Sequence, residues 1–228
     1  MKKYLFKIYD RAVELNKRNI LDLLDRNPHA ALLDLGCDNG EWTKTIASKI
    51  GTEDITGIEM VDERIPEISG RGIRAIKSDL THALPFNSDC FDVVHANQVI
   101  EHVADVNLFA SEIHRVLKPN GYVIVSTENG SSWHNIFASI MGWQIFSMTN
   151  VSTECIGLGN PWAMHRGESA LPSWTHKTIF NYRGLVEFFQ IHRFTGIKVE
   201  GAGYHPLPPQ LGKLDVRHSH FLTLKAFK

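Results

Sequence analysis

The residues with the clearest chemistry sit in one run, ALLDLGCDNGEWT, at positions 31–43. Leu32, Leu33 and Leu35 suit a short buried strand, Gly36 and Gly40 a tight turn, and 41–50 a helix. Glycine lets the backbone approach a ligand closely, and the first helical N–H groups have no partner within the helix. Asp34 falls at the carboxyl end of the strand, where open α/β sheets bind ligands. About 20 positions further on, Glu59 closes a second apolar run, where a carboxylate can accept two hydrogen bonds from a ribose diol. Asp79 follows a third run and can meet the exocyclic amine of a base, with Met60 and Leu80 to cover its flat faces. Strand-end acids are often simply exposed. The coincidence of three such ends is what points to a nucleoside site.

The turn is not G-x-G-x-x-G. Its acids, Asp34 and Asp38, would repel a pyrophosphate and suit a cationic ligand. That argues against NAD or FAD and for a cofactor bearing an amino group and a sulfonium.

The elements that must position these residues follow from pattern. At 228 residues, the chain holds one large α/β domain or two small ones. A composition 43% hydrophobic and 21% charged is ordinary for a soluble globular protein. A net charge of −1 provides no basic field for nucleic acid. Cys37, Cys90 and Cys155 have neither a disulfide framework nor zinc-like spacing, which fits a reducing cytoplasm. The start, Met1-Lys2-Lys3, is followed by mixed charge without an apolar core, so no signal peptide is expected.

Residues 4–26 read as one or two amphipathic helices with Leu5, Ile8, Val13, Ile20, Leu21 and Leu24 inward, ended by Asn27-Pro28. The segment 1–29 is mildly basic, with seven Lys/Arg against four Asp/Glu, which suits a solvated helix face or a helix closing over a pocket. Further strands are expected at 54–60, 73–78, 91–96 and 122–126, with a helix at 106–117 stopped by Pro119, Asn120 and Gly121. Strands alternating with helices imply a parallel sheet with right-handed crossovers.

The rhythm breaks after the fifth strand. Residues 127–176 hold four of the five Trp, and 131–153 contain no Asp, Glu, Lys or Arg. Ser, Asn, Gln and His interrupt this stretch too often for a membrane span. It reads as a lid or pocket wall, with Trp133, His134, Trp143, Trp162 and His165 toward a substrate. The alternatives are a satellite core or a membrane-surface contact. A helix at 178–190 follows, with Ile179, Leu185, Phe188 and Phe189 on its apolar side. Two strands at 196–201 and 220–227 should then pair antiparallel at the sheet edge.

Four segments carry a family resemblance: LLDLGCDNG, GIEM, KSDLTHALPFNSDCFDVVHANQVIEHV and HRVLKPNGYVIVSTEN. Together they resemble the class I S-adenosylmethionine-dependent methyltransferases, in the broad small-molecule group called type 11, over roughly residues 30–126. The resemblance implies a three-layer, Rossmann-like α/β fold, its seven-stranded sheet mostly parallel with an antiparallel last strand. It implies one domain over 1–228, with a helical segment at 1–29 and an aromatic insertion at 127–177. The cofactor implied is S-adenosyl-L-methionine. Asp34, Gly36, Cys37 and Gly40 would line its methionine half. Glu59 would hold the ribose, Met60 would flank the adenine, and Asp79 and Leu80 would border the base. Asn97 and Gln98 would lie by the amino-acid end or the methyl group. The chain departs from the family at Asp38, where glycine is usual, although Asp tolerates left-handed backbone.

Methyl transfer from a sulfonium needs orientation and water exclusion, and a base only if the acceptor must lose a proton. His102, in IEHV, is the first candidate base, unless Glu101-His102 simply packs the next helix. His134, His165 and His176 are further candidates. Some quinone-precursor methyltransferases of this fold carry a Glu-x-x-Glu-His metal site here. In this chain Gln98 replaces the first Glu, and Glu101 with His102 are too few ligands, so no metal is expected. His205, His218 and His220 match no known ligand spacing either. The expected activity is methylation of a small or medium-sized metabolite in the cytoplasm, without nucleic acid. An RNA or protein acceptor, a non-catalytic cofactor-binding module and a nicotinamide oxidoreductase are the competing readings.

Overall fold

A computed structural model describes residues 2–163 and 165–228. Seven strands form one sheet: β1 (Leu32–Leu35), β2 (Ile55–Glu59), β3 (Arg74–Lys77), β4 (Phe91–Asn97), β5 (Leu117–Glu128), β6 (Thr195–Ala202) and β7 (Phe221–Phe227). Their order is β3-β2-β1-β4-β5-β7-β6. The pairs β1–β2, β2–β3, β1–β4 and β4–β5 are parallel, whereas β7 lies antiparallel to both β5 and β6. Only β7 therefore runs against the rest, and β6 takes the edge. The strand order reverses between β1 and β4, and a crevice beyond the carboxyl ends of the strands opens there.

Successive side chains of a strand face opposite sides, so each strand feeds two cores. On one side Leu32 packs with Ile20 and Leu23 of α1 (Lys2–Leu23) and with Leu24 just after it. Ile46, Ala47 and Ile50 of α2 (Glu41–Ile50) and Ile68 of α3 (Ile65–Gly70) complete that core. On the other side Leu33 and Leu35 pack with Phe109, Ile113 and Val116 of α4 (Val106–Val116). Leu185, Phe188 and Phe189 of α6 (Tyr182–Ile191) join them. The result is three layers, helix–sheet–helix.

Four departures from the sequence pattern have physical causes. The N-terminal segment is a single helix whose buried positions include Ala12, Asn16 and Asn19, while Leu5, Val13 and Leu21 are only half-buried. The helix crosses polar strand ends, and Asn16 satisfies them. Its Oδ1 accepts from Ser126 Oγ at 2.8 Å and Thr223 Oγ1 at 2.7 Å, and its Nδ2 donates to Asn97 Oδ1 at 3.1 Å. Second, β5 begins at Leu117, because a bulge opposite Phe91 and Val93 absorbs Pro119-Asn120-Gly121, with Asn120 at φ 66°. Third, α6 starts only at Tyr182, because Phe180 bridges to Asn129, so Ile179 precedes the helix. Fourth, β5 runs through Glu128, so the irregular stretch starts at Asn129 and holds α5 (Trp133–Ile140) plus short 3-10 turns. Among the described residues, no helix is long and apolar enough to cross a membrane.

Candidate active site

The β1–α2 turn holds three left-handed residues: Gly36 at φ 69°, Asp38 at φ 50° and Gly40 at φ 81°. A Cβ on Gly36 would come within 2.8 Å of the Val99 side chain, so both conformation and space require glycine there. The Gly36 and Cys37 amides donate to the Ile58 carbonyl at 2.9 and 3.0 Å, which pins the turn to β2. The Asp38 amide donates to Glu59 Oε2 at 3.0 Å, and the Asp38 carboxylate turns to Arg64, also at 3.0 Å. The residue that breaks the family pattern thus keeps the left-handed geometry, and Arg64 balances its charge.

Two residues expected to line the cofactor face elsewhere. Asp34 is 2% exposed, and its carboxylate is occupied by His95 Nδ1 at 2.6 Å and by the Thr43 hydroxyl. It ties β1 to β4 and α2 rather than reaching into the crevice. The Cys37 side chain packs under Gly57, where a Cβ would sit 2.6 Å from its sulfur. Burial, and next the Asp34 carboxylate, push its thiol well above the usual range, so Cys37 can offer a ligand only its backbone.

The other expected positions stand at consecutive strand ends. Glu59 ends β2, where its Oε1 accepts from the Met60 and Val61 amides at 2.8 and 3.0 Å. With Asp38 that makes three bonds, and a carboxylate has about four lone-pair sites. One remains on Oε2 for a ligand hydroxyl. Met60 beside it is 47% exposed, leaving its thioether free to cover a base. Asp79 follows β3. Its carboxylate accepts from the Thr81 amide at 2.9 Å, and that bond, outweighing partial burial, holds its pKa below the ordinary value. Leu80 packs half-buried against the core behind it. Asn97 ends β4, followed by Gln98 at φ 56°, a strained value for a residue other than glycine. Acids at two strand ends, an exposed thioether and a glycine turn fit the nucleoside and amino-acid halves of S-adenosylmethionine.

Beyond β4, a 3-10 turn (Ile100–His102) carries Glu101 and His102. Glu101 is 1% exposed, Thr127 Oγ1 donates to its Oε2 at 3.0 Å, and its Oε1 has no partner among the described residues. Burial pushes this carboxyl up to about 8, so it is protonated at neutral pH. His102 Nδ1 lies 3.2 Å from the Thr175 carbonyl, and its ring meets the His176 ring edge-on at 4.7 Å. Burial, and next His176, push its pKa down to about 4, leaving a neutral imidazole. One metal-capable atom from each of Glu101, His102 and His176 lies within 4.8 Å of the others. His176 was thus the missing third member of this set, and it arrives from the far end of the insertion.

The expected substrate wall is rearranged. Phe137 stacks on Trp162 at 5.4 Å, and Trp143 meets both edge-on at 5.8 and 5.2 Å, forming a surface cluster. Trp162 is 58% exposed and Trp133 44%. Trp133 donates to the Tyr204 hydroxyl at 2.7 Å and stacks on His218. His165 is exposed and pairs with Glu168 at 3.4 Å. His134, by contrast, has its Nδ1 shut off from solvent.

A seven-stranded sheet of this order, with a glycine turn after β1 and acids at the next strand ends, defines the class I S-adenosylmethionine-dependent methyltransferases. A family model described as a methyltransferase domain matches residues 4–203, and the chain belongs to that family. Among curated relatives, it is 27% identical over 186 residues to the ubiquinone biosynthesis O-methyltransferase of Bartonella tribocorum, covering 77% of this chain and 64% of that one. The mitochondrial ubiquinone biosynthesis O-methyltransferase of Rattus norvegicus is 28% identical over 123 residues, covering 50% of this chain and 35% of that one. The matches thus span between about a third and two thirds of these relatives. An S-adenosylmethionine-dependent methyltransferase from Thermotoga maritima shares the fold at TM-score 0.66 and 16% identity, covering 99% of this chain and 93% of that one. A Burkholderia thailandensis 1,6-didemethyltoxoflavin-N1-methyltransferase, solved with its substrate and S-adenosylhomocysteine bound, aligns at TM-score 0.59 and 15% identity, covering 93% and 78%.

Proposed function

We propose that the chain methylates a small or medium-sized, partly apolar metabolite, with oxygen as the methylated atom. The observation that carries this reading is the buried polar floor beyond β4, where Glu101, protonated, and His102, neutral, share one 3-10 turn and contact Thr127 and Thr175. Such a floor suits a neutral small molecule. Nucleic acid would need a basic track, and a net charge of −1 supplies none. The curated relatives named above are O-methyltransferases, which supports oxygen. The three unpaired cysteines suit a reducing compartment such as the cytoplasm.

When bound, S-adenosylmethionine supplies a methyl group already activated on a sulfonium. Glu59 accepts from the ribose, Met60 and Leu80 cover the base, Asp79 borders it, and the backbone of residues 36–40 takes the methionine half. Glu101 holds its proton at Oε1, because Oε2 already accepts from Thr127, and this keeps a negative charge out of the floor beneath the acceptor molecule. His102 orients that molecule as a neutral hydrogen-bonding group.

The test is calorimetry with S-adenosylhomocysteine, followed by transfer of a labelled methyl group to a panel of phenols, sugars, amines, RNA and protein. Label on a phenol or sugar hydroxyl supports the reading. Label confined to RNA or protein, or binding without any turnover, overturns it.

A further inference from the structure

Three histidines outside this set meet from three separate elements. His134 lies in the first turn of α5, His205 in the connection between β6 and β7, and His220 immediately before β7. Their ring centroids stand 4.4 Å apart for His134–His220, 5.6 Å for His205–His220 and 5.8 Å for His134–His205. In all three, Nδ1 is shut off from solvent and has no hydrogen-bond partner among the described residues. His220 as a whole is only 7% exposed.

His134 Nε2 lies 3.4 Å from the Ser132 hydroxyl, and the His205 ring lies beside the Leu5 backbone of α1. Burial lowers the pKa of all three, His134 to about 3, so the rings are neutral. A neutral imidazole carries one N–H and one lone pair, so each Nδ1 either donates or accepts one hydrogen bond. Buried polar atoms are nearly always paired, and three orphans in one place call for a partner from outside the chain. A single metal ion does not answer that need. As a set, these nitrogens do not approach within the 4.8 Å that Glu101, His102 and His176 achieve.

The surroundings say what kind of partner fits. Phe221 stacks on His220 at 4.3 Å, Tyr9 of α1 lies 5.6 Å from it, and Phe146 lies 5.4 Å from His134. These flat apolar walls suit a flat ligand. Glu128, paired with Phe221 across β5 and β7, is the nearby acid whose charge acts on both His220 and Tyr9. The His220 carbonyl accepts from the Asn129 amide at 2.9 Å, which puts the cluster just past the end of β5. That is the same end of the sheet as Glu59, Asp79 and Asn97, two strand spacings (about 10 Å) from the end of β4.

We propose that His134, His205 and His220 are the acceptor-binding end of the methyl-transfer site, their Nδ1 atoms sharing the hydroxyl of a flat, neutral molecule, which donates one hydrogen bond and accepts two. This rests on the reading of the chain as a small-molecule O-methyltransferase and names the part of the site that recognises the hydroxyl. His205 stands on an irregular, half-buried segment, which leaves a wall able to yield as the molecule enters.

The test uses full-length protein labelled with nitrogen-15 histidine and titrated with phenol, with anisole and with zinc ion alone, each with and without S-adenosylhomocysteine. The expected result is movement of the three Nδ1 resonances with phenol and a smaller movement with anisole, which lacks the O–H. No movement with phenol, equal movement with anisole, or movement with zinc alone overturns the proposal. S-adenosylhomocysteine affinity is measured on the same samples. Its absence strikes the methyltransferase reading, whereas the phenol response stands or falls by itself. His205→Phe keeps a flat ring and removes the nitrogens. It should weaken phenol binding about fivefold and leave S-adenosylhomocysteine affinity unchanged. Unchanged phenol affinity overturns the proposal. Should that variant not fold, His134→Asn is judged by the same two affinities.

Discussion

The Asp38 amide donates to the Glu59 carboxylate at 3.0 Å, joining the turn after β1 to the end of β2. Glu59 also accepts from the Met60 and Val61 amides, so one carboxylate organises both loops that face the crevice. The acid expected to hold a ribose therefore shapes its own site as well. That pre-organisation lowers the ordering cost of binding.

Glu59→Ala should consequently do two things. It removes a charged acceptor, a hydrogen bond to which is worth roughly 1.5–3 kcal/mol, so S-adenosylhomocysteine affinity should fall about tenfold or more. It also frees three amides, so the turn loosens and unfolding should shift to lower urea. Calorimetry and urea titration read the two effects separately. Unchanged affinity would mean that the ribose lies elsewhere.

Asp34 and His95 form a buried pair, 2.6 Å apart, on neighbouring strands. Removing one partner strands the other inside the protein, at a cost of about 3–5 kcal/mol for such pairs. Asp34→Leu and His95→Phe should each destabilise strongly, and the double variant should lose less than the sum. Urea unfolding of the four proteins forms the cycle that measures the coupling. Additive losses would show that the two residues act independently.

Asn16 holds α1 to three strands through Asn97, Ser126 and Thr223. Asn16→Ala leaves these buried groups short of a partner, at about 1–3 kcal/mol. Because Asn97 borders the crevice, cofactor affinity should drop along with stability. Amide hydrogen exchange should show faster opening of α1 than of β1. Equal protection in variant and wild type would remove Asn16 from this role.

What could be read in the chain was local. A strand, a glycine turn and a helix follow each other within a dozen residues, so Gly36, Gly40 and Glu59 announce themselves. Even so, whether a side chain faces the ligand or the core was not visible. Cys37 turns inward because Gly57 leaves room beneath it, a fact of strand pairing. The insertion was least legible. Trp carries a large apolar surface yet is rarely fully buried, so its presence does not say which way it faces. The partners that matter there come from far along the chain: His176 for His102, and His205 and His220 for His134. Neither helical nor strand periodicity reports such meetings.

Glu101 gives the clearest dependence on pH. Its carboxyl has an ordinary value of 4.5 and is raised to about 8 in the folded chain, chiefly by burial. Between those two values the unfolded chain has lost the proton and the folded chain still holds it. The folded state binds more protons there, so this group makes stability fall as pH rises across that window. The slope reaches about 1.4 kcal/mol per pH unit at most. Glu101→Gln copies the protonated acid and cannot titrate, so the stability of wild type relative to the variant should decline from acid to alkaline pH. His102 titrates in both proteins, and the comparison largely cancels it. Urea unfolding at several pH values across the window measures this difference, and a flat difference would mean that Glu101 is ionised in the folded protein. Activity should follow the same proton: its loss puts a charge beneath the acceptor molecule, so turnover of wild type falls as pH passes about 8, and the Gln variant, which stays neutral, loses that alkaline limb.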